Sequence, residues 1–257
     1  MGIQGAALAS VISEIAALLY FASFTFSKNT RNKYGLLKNI SWNIKSQLQI
    51  LKVAAPIMVQ NFMALSTWLS FFMIIEQIGE KELAISHIIR SIYMVVMIPL
   101  FGFSSASSTI VSNLMGENRT REVMMLIKRI VILSVCTTAI FIPFLLLFPE
   151  EIIGVYTNKV DLLQRSKAIL PVICAAMLFF SIAYIIFSSV TGTGKTLVTL
   201  SIEFISITAY LIFAYLFALY FRYSLIVVWS SEFIYFGIMG LLAFLYLKYG
   251  KWKESKI

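Results

Sequence analysis

Seven long apolar stretches, separated by shorter polar segments, dominate the pattern of hydrophobic and polar positions along the chain. They cover roughly residues 2–26, 53–75, 88–113, 130–149, 168–190, 196–221 and 224–247. A helix needs about 20 residues to cross the roughly 30 Å hydrocarbon core of a bilayer. None of the stretches shows the alternation typical of a membrane β-strand. The pattern therefore predicts an all-α, polytopic membrane bundle of about seven transmembrane helices.

The composition agrees with lipid as the main solvent. Hydrophobic residues make up 60% of the chain and charged residues 13%, whereas a soluble domain is nearer half apolar and a quarter charged. The first stretch differs from a secretory signal peptide, because it lacks a basic start and carries Glu14 in its middle. We interpret it as a membrane helix.

The basic residues predict the orientation of the bundle. Fifteen Lys and Arg residues fall in segments on one side, namely 28–52, 119–129, position 195 and 248–257, and six fall on the other side. The positive-inside rule places the richer side, including the C-terminus, in the cytoplasm of a cell-membrane protein. The net charge of +9 is then explained by orientation and lipid headgroups rather than by nucleic acid.

The spacing of the stretches divides the chain into four parts. We predict a single leading helix (1–27), a basic cytoplasmic linker (28–52), a six-helix lobe (53–247) and a basic cytoplasmic tail (248–257). Within the linker, Trp42, Ile44, Leu48 and Leu51 alternate with Lys and Gln, which predicts an amphipathic helix at the membrane surface. A lone helix before a compact group of six indicates the later part of a longer protein.

Several segments, in order along nearly the whole chain, resemble the multidrug and toxic compound extrusion (MATE) family of the MOP superfamily. They are MGIQGAALASVIS (1–13), LKVAAPIMVQNF (51–62), GTGKTLVTL (192–200), YLKYGKWK (246–253) and, most specifically, ELAISHIIRSIYMVVMIPLFGFSSASSTIVSNLMGEN (82–118). The resemblance implies a twelve-helix transporter of two lobes, of which this chain is helix six and the second lobe. The missing N-terminal lobe is then a partner of the chain.

The same resemblance implies a function. We expect secondary active efflux of small amphipathic or cationic compounds, driven by antiport of Na⁺ or H⁺. The alternative within the superfamily is a flippase for polysaccharide or lipid-linked precursors. Flippases of anionic lipids favour basic residues inside the cavity, and no apolar stretch here has one near its centre.

Three acidic residues, Glu14, Glu203 and Glu232, lie within apolar stretches. An acid at the centre of a membrane helix costs roughly 2.5–3.5 kcal/mol to insert and often serves an ion or proton pathway. We predict all three as candidates for ion coupling. The structural alternative is a protonated or hydrogen-bonded glutamate between packed helices.

Polar residues at helical spacing predict the lining of a cavity. Thr199, Ser206 and Tyr210 share a helix face with Glu203 and are predicted to link it to Glu232, while Gln60, Asn61 and Thr67 form a mildly polar side of the second apolar stretch. The MATE resemblance implies a cation-binding carboxylate at the position of Ala64. Its absence argues against the family's usual Na⁺ site in this lobe.

Other chemistry is excluded by what the sequence lacks. TGTGKT (191–196) is not a phosphate-binding loop, because Ser189 occupies the position of the first required Gly and a membrane helix precedes it. One His and two Cys residues give no metal framework and no catalytic constellation. We therefore predict no enzyme activity, nucleotide, metal or cofactor. The small residues of 102–108 predict close helix packing or, alternatively, cavity lining.

Overall fold

The computed structural model describes residues 2–35 and 43–253. Trp42 and the rest of 36–42, and positions 254–257 of the predicted tail, lie outside the described residues. The described part is helical, with these elements: α1 (Gly2–Thr25), α2 (Lys28–Tyr34), α3 (Ile44–Glu76), α4 (Glu80–Gly116), α5 (Thr120–Leu147), α6 (Pro149–Gly154), α7 (Val160–Gly192), α8 (Thr196–Tyr215), a π-helical turn (Leu216–Tyr220), α9 (Leu225–Trp229) and α10 (Ser231–Tyr249).

Seven spans in the described residues are long and apolar enough to cross a membrane. The predicted all-α membrane bundle is therefore confirmed. Four helices start between two and three turns earlier than hydropathy predicts, with α3 at Ile44, α4 at Glu80, α5 at Thr120 and α7 at Val160. The last three carry an acidic residue in the first turn, where the helix dipole favours negative charge. Hydropathy detects only the apolar part of such helices.

The chain divides into two compact units, Met1–Leu48 and Gln49–Ile257. In the first unit, α2 begins after Ser27, whose side chain accepts a hydrogen bond from the Thr30 backbone N–H, and ends at Gly35 in the left-handed conformation. The helix α3 already begins at Ile44, so the end of the predicted linker is continuous with the next spanning helix. The division into four parts remains a prediction.

The second unit is built around α7, which packs against α4, α5 and α10, while α8 packs against α10. The run of small residues on α4 contacts α7 closely, through a hydrogen bond of 2.8 Å between the Ser107 and Ser189 hydroxyls. A Cβ atom added to Gly192 would lie 2.5 Å from the carbonyl oxygen of Ser108. Small side chains are thus required at this crossing.

Candidate functional site

The two acidic residues predicted from the second unit, Glu203 and Glu232, lie on neighbouring helices and are held by tyrosines. Tyr210 on α8 donates a hydrogen bond of 3.0 Å to Glu232 on α10. In return, Tyr235 on α10 donates a hydrogen bond of 2.7 Å to Glu203 on α8. The later residue of α8 bonds to the earlier residue of α10, and the earlier residue of α8 bonds to the later one of α10. The two helices therefore run antiparallel. Each helix thus supplies the donor for the other helix's acid.

The two tyrosines that hold the acids also touch each other. The rings of Tyr210 and Tyr235 lie 5.5 Å apart between centroids, at an interplanar angle of 50°. The two Tyr–Glu pairs therefore form one contiguous cluster, joined by the contact between the tilted rings.

Both glutamates are removed from solvent, with 3% of each residue exposed. Among the described residues no ion pair involves either of them. A buried carboxylate without a positive partner carries a large desolvation cost, which a single neutral hydrogen bond does not offset. A proton or a bound cation is therefore the natural counterpart for the charge of each carboxyl group.

A third tyrosine, Tyr93 on α4, faces the same carboxyl group of Glu232. It is fully buried, and its hydroxyl lies beside the Glu232 carboxyl group but outside the strict geometry of a hydrogen bond. An unpaired buried hydroxyl is uncommon and calls for a physical reason. Here its position leaves it available to a proton or ion that arrives at Glu232.

Glu232 lines a partly open cavity of about 120 Å³. Aromatic side chains dominate the lining, which consists of Ala64, Thr67, Trp68, Tyr93, Met97, Phe101, Phe180, Tyr184, Tyr210, Glu232, Tyr235 and Phe236. The volume holds a few water molecules or a small ion but not a drug-sized molecule. One carboxyl group among aromatic faces favours a cation in this space.

The structure brings some predicted residues to this cavity and places others elsewhere. Thr67 and Tyr210 line it. Thr199 and Ser206 are buried but do not line the cavity. Their hydroxyls donate instead to backbone carbonyls of their own helix, at 2.9 Å and 2.8 Å. Of the predicted linkers between the acids, only Tyr210 reaches Glu232.

The remaining candidates lie away from the cavity or in the other unit. Asn61 is exposed and Gln60 is partly buried on α3, and neither lines the cavity. Glu14 is exposed on α1 in the first unit. Their proposed roles remain predictions.

Two tyrosines of the site were missed by sequence reasoning. Tyr235 follows Glu232 by three residues and so shares its helix face, a spacing that could have identified it. Tyr93 comes from a helix distant in sequence, and only the packing of α4 against α10's neighbours brings it to Glu232. No local signal marks it.

The chain is similar to known proteins along its length. The MatE family model matches residues 56–216. The probable multidrug resistance protein NorM of Thermotoga maritima is 28% identical over the whole of this chain and 55% of its own length. The chain thus spans about half the length of the curated relative it matches.

Solved structures show the same fold. A structure of MATE in complex with MaL6 matches with a TM-score of 0.81 and 18% identity, over 96% of this chain and 56% of that one. A MOP superfamily transporter from Pyrococcus furiosus matches with a TM-score of 0.83 and 18% identity, again over 96% and 56%. The chain therefore has the same helical fold as the matching part of these solved structures.

Proposed function

Because the chain belongs to the MatE family, we propose that it is the second lobe of a transporter that exports small amphipathic or cationic compounds. The export is driven by antiport of Na⁺ or H⁺. The name of the Thermotoga maritima relative, a probable multidrug resistance protein, supports efflux. The protein acts as a transporter rather than an enzyme, and no resident cofactor, nucleotide or nucleic acid takes part.

The observation that carries this proposal is a buried carboxyl group without a basic partner in a small aromatic cavity. Glu232 lies there beside Tyr93 and Tyr210. The cavity, at about 120 Å³, is too small for a drug but large enough for a dehydrated or partly hydrated cation. We therefore assign it to the coupling ion and place the substrate between this lobe and the missing one.

The hydrogen bonds provide a means of responding to the ion. An ionised Glu232 accepts from Tyr210, whereas a protonated carboxyl group also has one hydrogen to donate, and the unpaired Tyr93 hydroxyl is next to it as an acceptor. Proton or cation arrival thus changes the contacts among α4, α8 and α10. A ligand that interacts differently with two arrangements shifts their populations.

The charge of the cavity favours cation-coupled export over the flippase alternative. A flippase for polysaccharide or lipid-linked precursors would need groups that bind phosphate or sugar. Among the described residues that line the cavity, none is basic and one is acidic. A flippase is favoured only if the first lobe brings a basic surface to the substrate path.

Transport assays on the chain assembled with its first lobe test the assignment of the acids. Glu232→Gln and Glu203→Gln should each lower ion-driven efflux about 5- to 150-fold, the range of typical coupling energies, while membrane insertion is retained. Glu151→Gln, an exposed acid outside the ion pairs of the described residues, serves as the matched control. Wild-type efflux in both buried variants would assign coupling to the first lobe.

The proposed orientation is a multi-pass protein of the cell membrane with its linker and C-terminus in the cytoplasm. The uneven distribution of Lys and Arg supports it. In a background without Cys136 and Cys174, Lys81→Cys and Lys159→Cys should react with an impermeant thiol reagent in intact cells. Lys33→Cys and Lys253→Cys should be protected. Labelling at position 253 from outside would reverse the orientation.

A further inference from the structure

A groove between α3 and the end of α8 combines an apolar part with a polar mouth. The apolar part, about 450 Å³, is lined by Ser70, Met73, Ile74, Leu211, Ile212 and Leu216. The mouth, about 530 Å³, is lined in part by Gln77, Arg222 and Tyr223. Tyr215 lines both parts, so the two parts are neighbours at this residue. The groove extends from Ser70 to Gln77, which is about 10 Å along the axis of a helix.

The mouth is shaped by an unusual helix end. A π-helical turn, Leu216–Tyr220, ends α8, and Arg222 has a left-handed backbone with φ of 52°. The Tyr223 N–H donates to the carbonyl of Phe217, six residues earlier, at 2.8 Å, so Arg222 is the left-handed residue at which the helix ends. This position is normally Gly, since other side chains are disfavoured there. The left-handed backbone is unfavourable for an Arg, so we expect its side chain to make an interaction that offsets this cost.

Aromatic side chains place the mouth at the edge of the lipid. Tyr215 is 53% exposed, Tyr220 73% and Tyr223 49%. Exposed tyrosines beside an apolar span are typical of the interface between the hydrocarbon core and the headgroups. The same tyrosines indicate an interfacial position for Arg222, which lies between Tyr220 and Tyr223 in the chain.

The charge of Arg222 is available to a ligand. Arg222 is exposed, and none of the ion pairs found in residues 2–35 and 43–253 includes it. No acidic residue lines the mouth within that part of the chain. The Gln77 amide and the Tyr223 hydroxyl add uncharged hydrogen-bonding groups to the same mouth. Together these groups match an anion.

We propose that this groove binds one anionic phospholipid, with its phosphate on Arg222 and one acyl chain along the apolar part. A guanidinium group binds phosphate oxygens in a bidentate manner. A soluble anion would use the mouth alone and leave the apolar part empty. The order of the two parts, apolar within the span and basic at the interface, is the order of a lipid molecule.

Native mass spectrometry of the 257-residue chain from nanodiscs tests the headgroup. The chain should retain phosphatidylglycerol about fivefold more than phosphatidylcholine, the effect of one basic residue at the membrane surface. Arg222→Gln should remove this preference, and Lys159→Gln, the loss of an exposed charge at the same end of the bundle, should keep it. Equal retention of both lipids by the wild type, or equal effects of the two variants, would overturn the proposal.

A photoreactive phosphatidylglycerol tests the acyl chain. It should label peptides that contain Met73 or Leu216, and glycerol phosphate should not compete for the site. Competition by glycerol phosphate or by inorganic phosphate would indicate a site for a free anion. Loss of labelling when a first lobe is co-expressed would indicate that the other lobe occupies the groove. Either result would exclude the lipid.

Discussion

The second unit satisfies its carboxyl groups in two different ways. Where α4 and α7 begin, Lys81 pairs with Asp161 at 3.1 Å and Arg165 pairs with Glu82 at 3.2 Å. The side chains of Lys81, Asp161 and Arg165 are more than half exposed, and that of Glu82 is 23% exposed. In the interior, Glu203 and Glu232 meet tyrosine hydroxyls instead, with no basic residue paired to them in the described chain.

The difference indicates which acids can change their charge state usefully. An acid that already has a basic partner at the surface stays ionised, and its pair contributes roughly 0–1 kcal/mol to stability. The charge of a buried acid that has only neutral hydrogen-bond donors can be balanced by a proton or by a metal cation. The interior carboxyl groups are therefore suited to coupling, and the surface ones to fixing helix ends.

The strongest test of this comparison supplies the interior with the partner it lacks. Thr67→Lys places an ammonium group in the cavity that Glu232 also lines. A permanent ion pair should leave no charge for the coupling ion to balance, so ion-driven efflux should fall by about 5- to 150-fold. Proteoliposomes with an imposed ion gradient provide the measurement.

A matched variant separates charge from bulk at this position. Thr67→Met has a similar length without the charge and should retain most of the efflux if the cavity's charge balance is what matters. If Thr67→Met loses as much activity as Thr67→Lys, the loss comes from crowding in the cavity and not from the added charge. The proposed difference between surface and interior acids would then be contradicted.

The second test removes one donor from Glu232 at a time. Tyr210→Phe deletes a hydrogen bond of 3.0 Å and leaves the buried carboxyl group short of a partner, which should cost about 1–2 kcal/mol. Tyr93→Phe removes a hydroxyl without a complete hydrogen bond and should cost less. Thermal unfolding in detergent measures both.

Transport distinguishes the two tyrosines in another way. If Tyr93 accepts from a protonated Glu232, Tyr93→Phe should slow efflux although its melting temperature stays near that of the wild type. A Tyr93→Phe variant with unchanged efflux and unchanged stability would show that the unpaired hydroxyl has no part in coupling.

How far the sequence predicts this molecule depends on the range of the interactions. The seven spans and the burial of Glu203 and Glu232 follow from hydropathy, which is a property of each segment by itself. The early starts of α4 and α7 do not, because their first turns are stabilised by end charges and ion pairs rather than by apolar side chains.

The candidate site was predicted only in part for a similar reason. Thr199 and Ser206 have the right helical spacing, yet a hydroxyl in a helix is readily satisfied by a carbonyl one turn earlier, as observed for both. The phenol of Tyr210 is too long for that contact and reaches across to α10. The role of Tyr93 depends on tertiary packing, which no local pattern encodes.

The smallest effect is expected at the surface. Lys81→Ala removes the 3.1 Å ion pair with Asp161, whose two side chains are 67% and 53% exposed. Such a pair gains little from Coulomb attraction in high dielectric, so the loss in stability should be small and should vanish in high salt. Lys159→Ala, which lies at the same end of the bundle without an ion pair among those described, is the control. Unfolding of both variants at low and high salt gives the measurement, and efflux should remain close to that of the wild type.

A loss from Lys81→Ala as large as that from Tyr210→Phe, unchanged by salt, would show that the surface pairs are as important as the interior ones and would remove the basis for separating the two groups of acids.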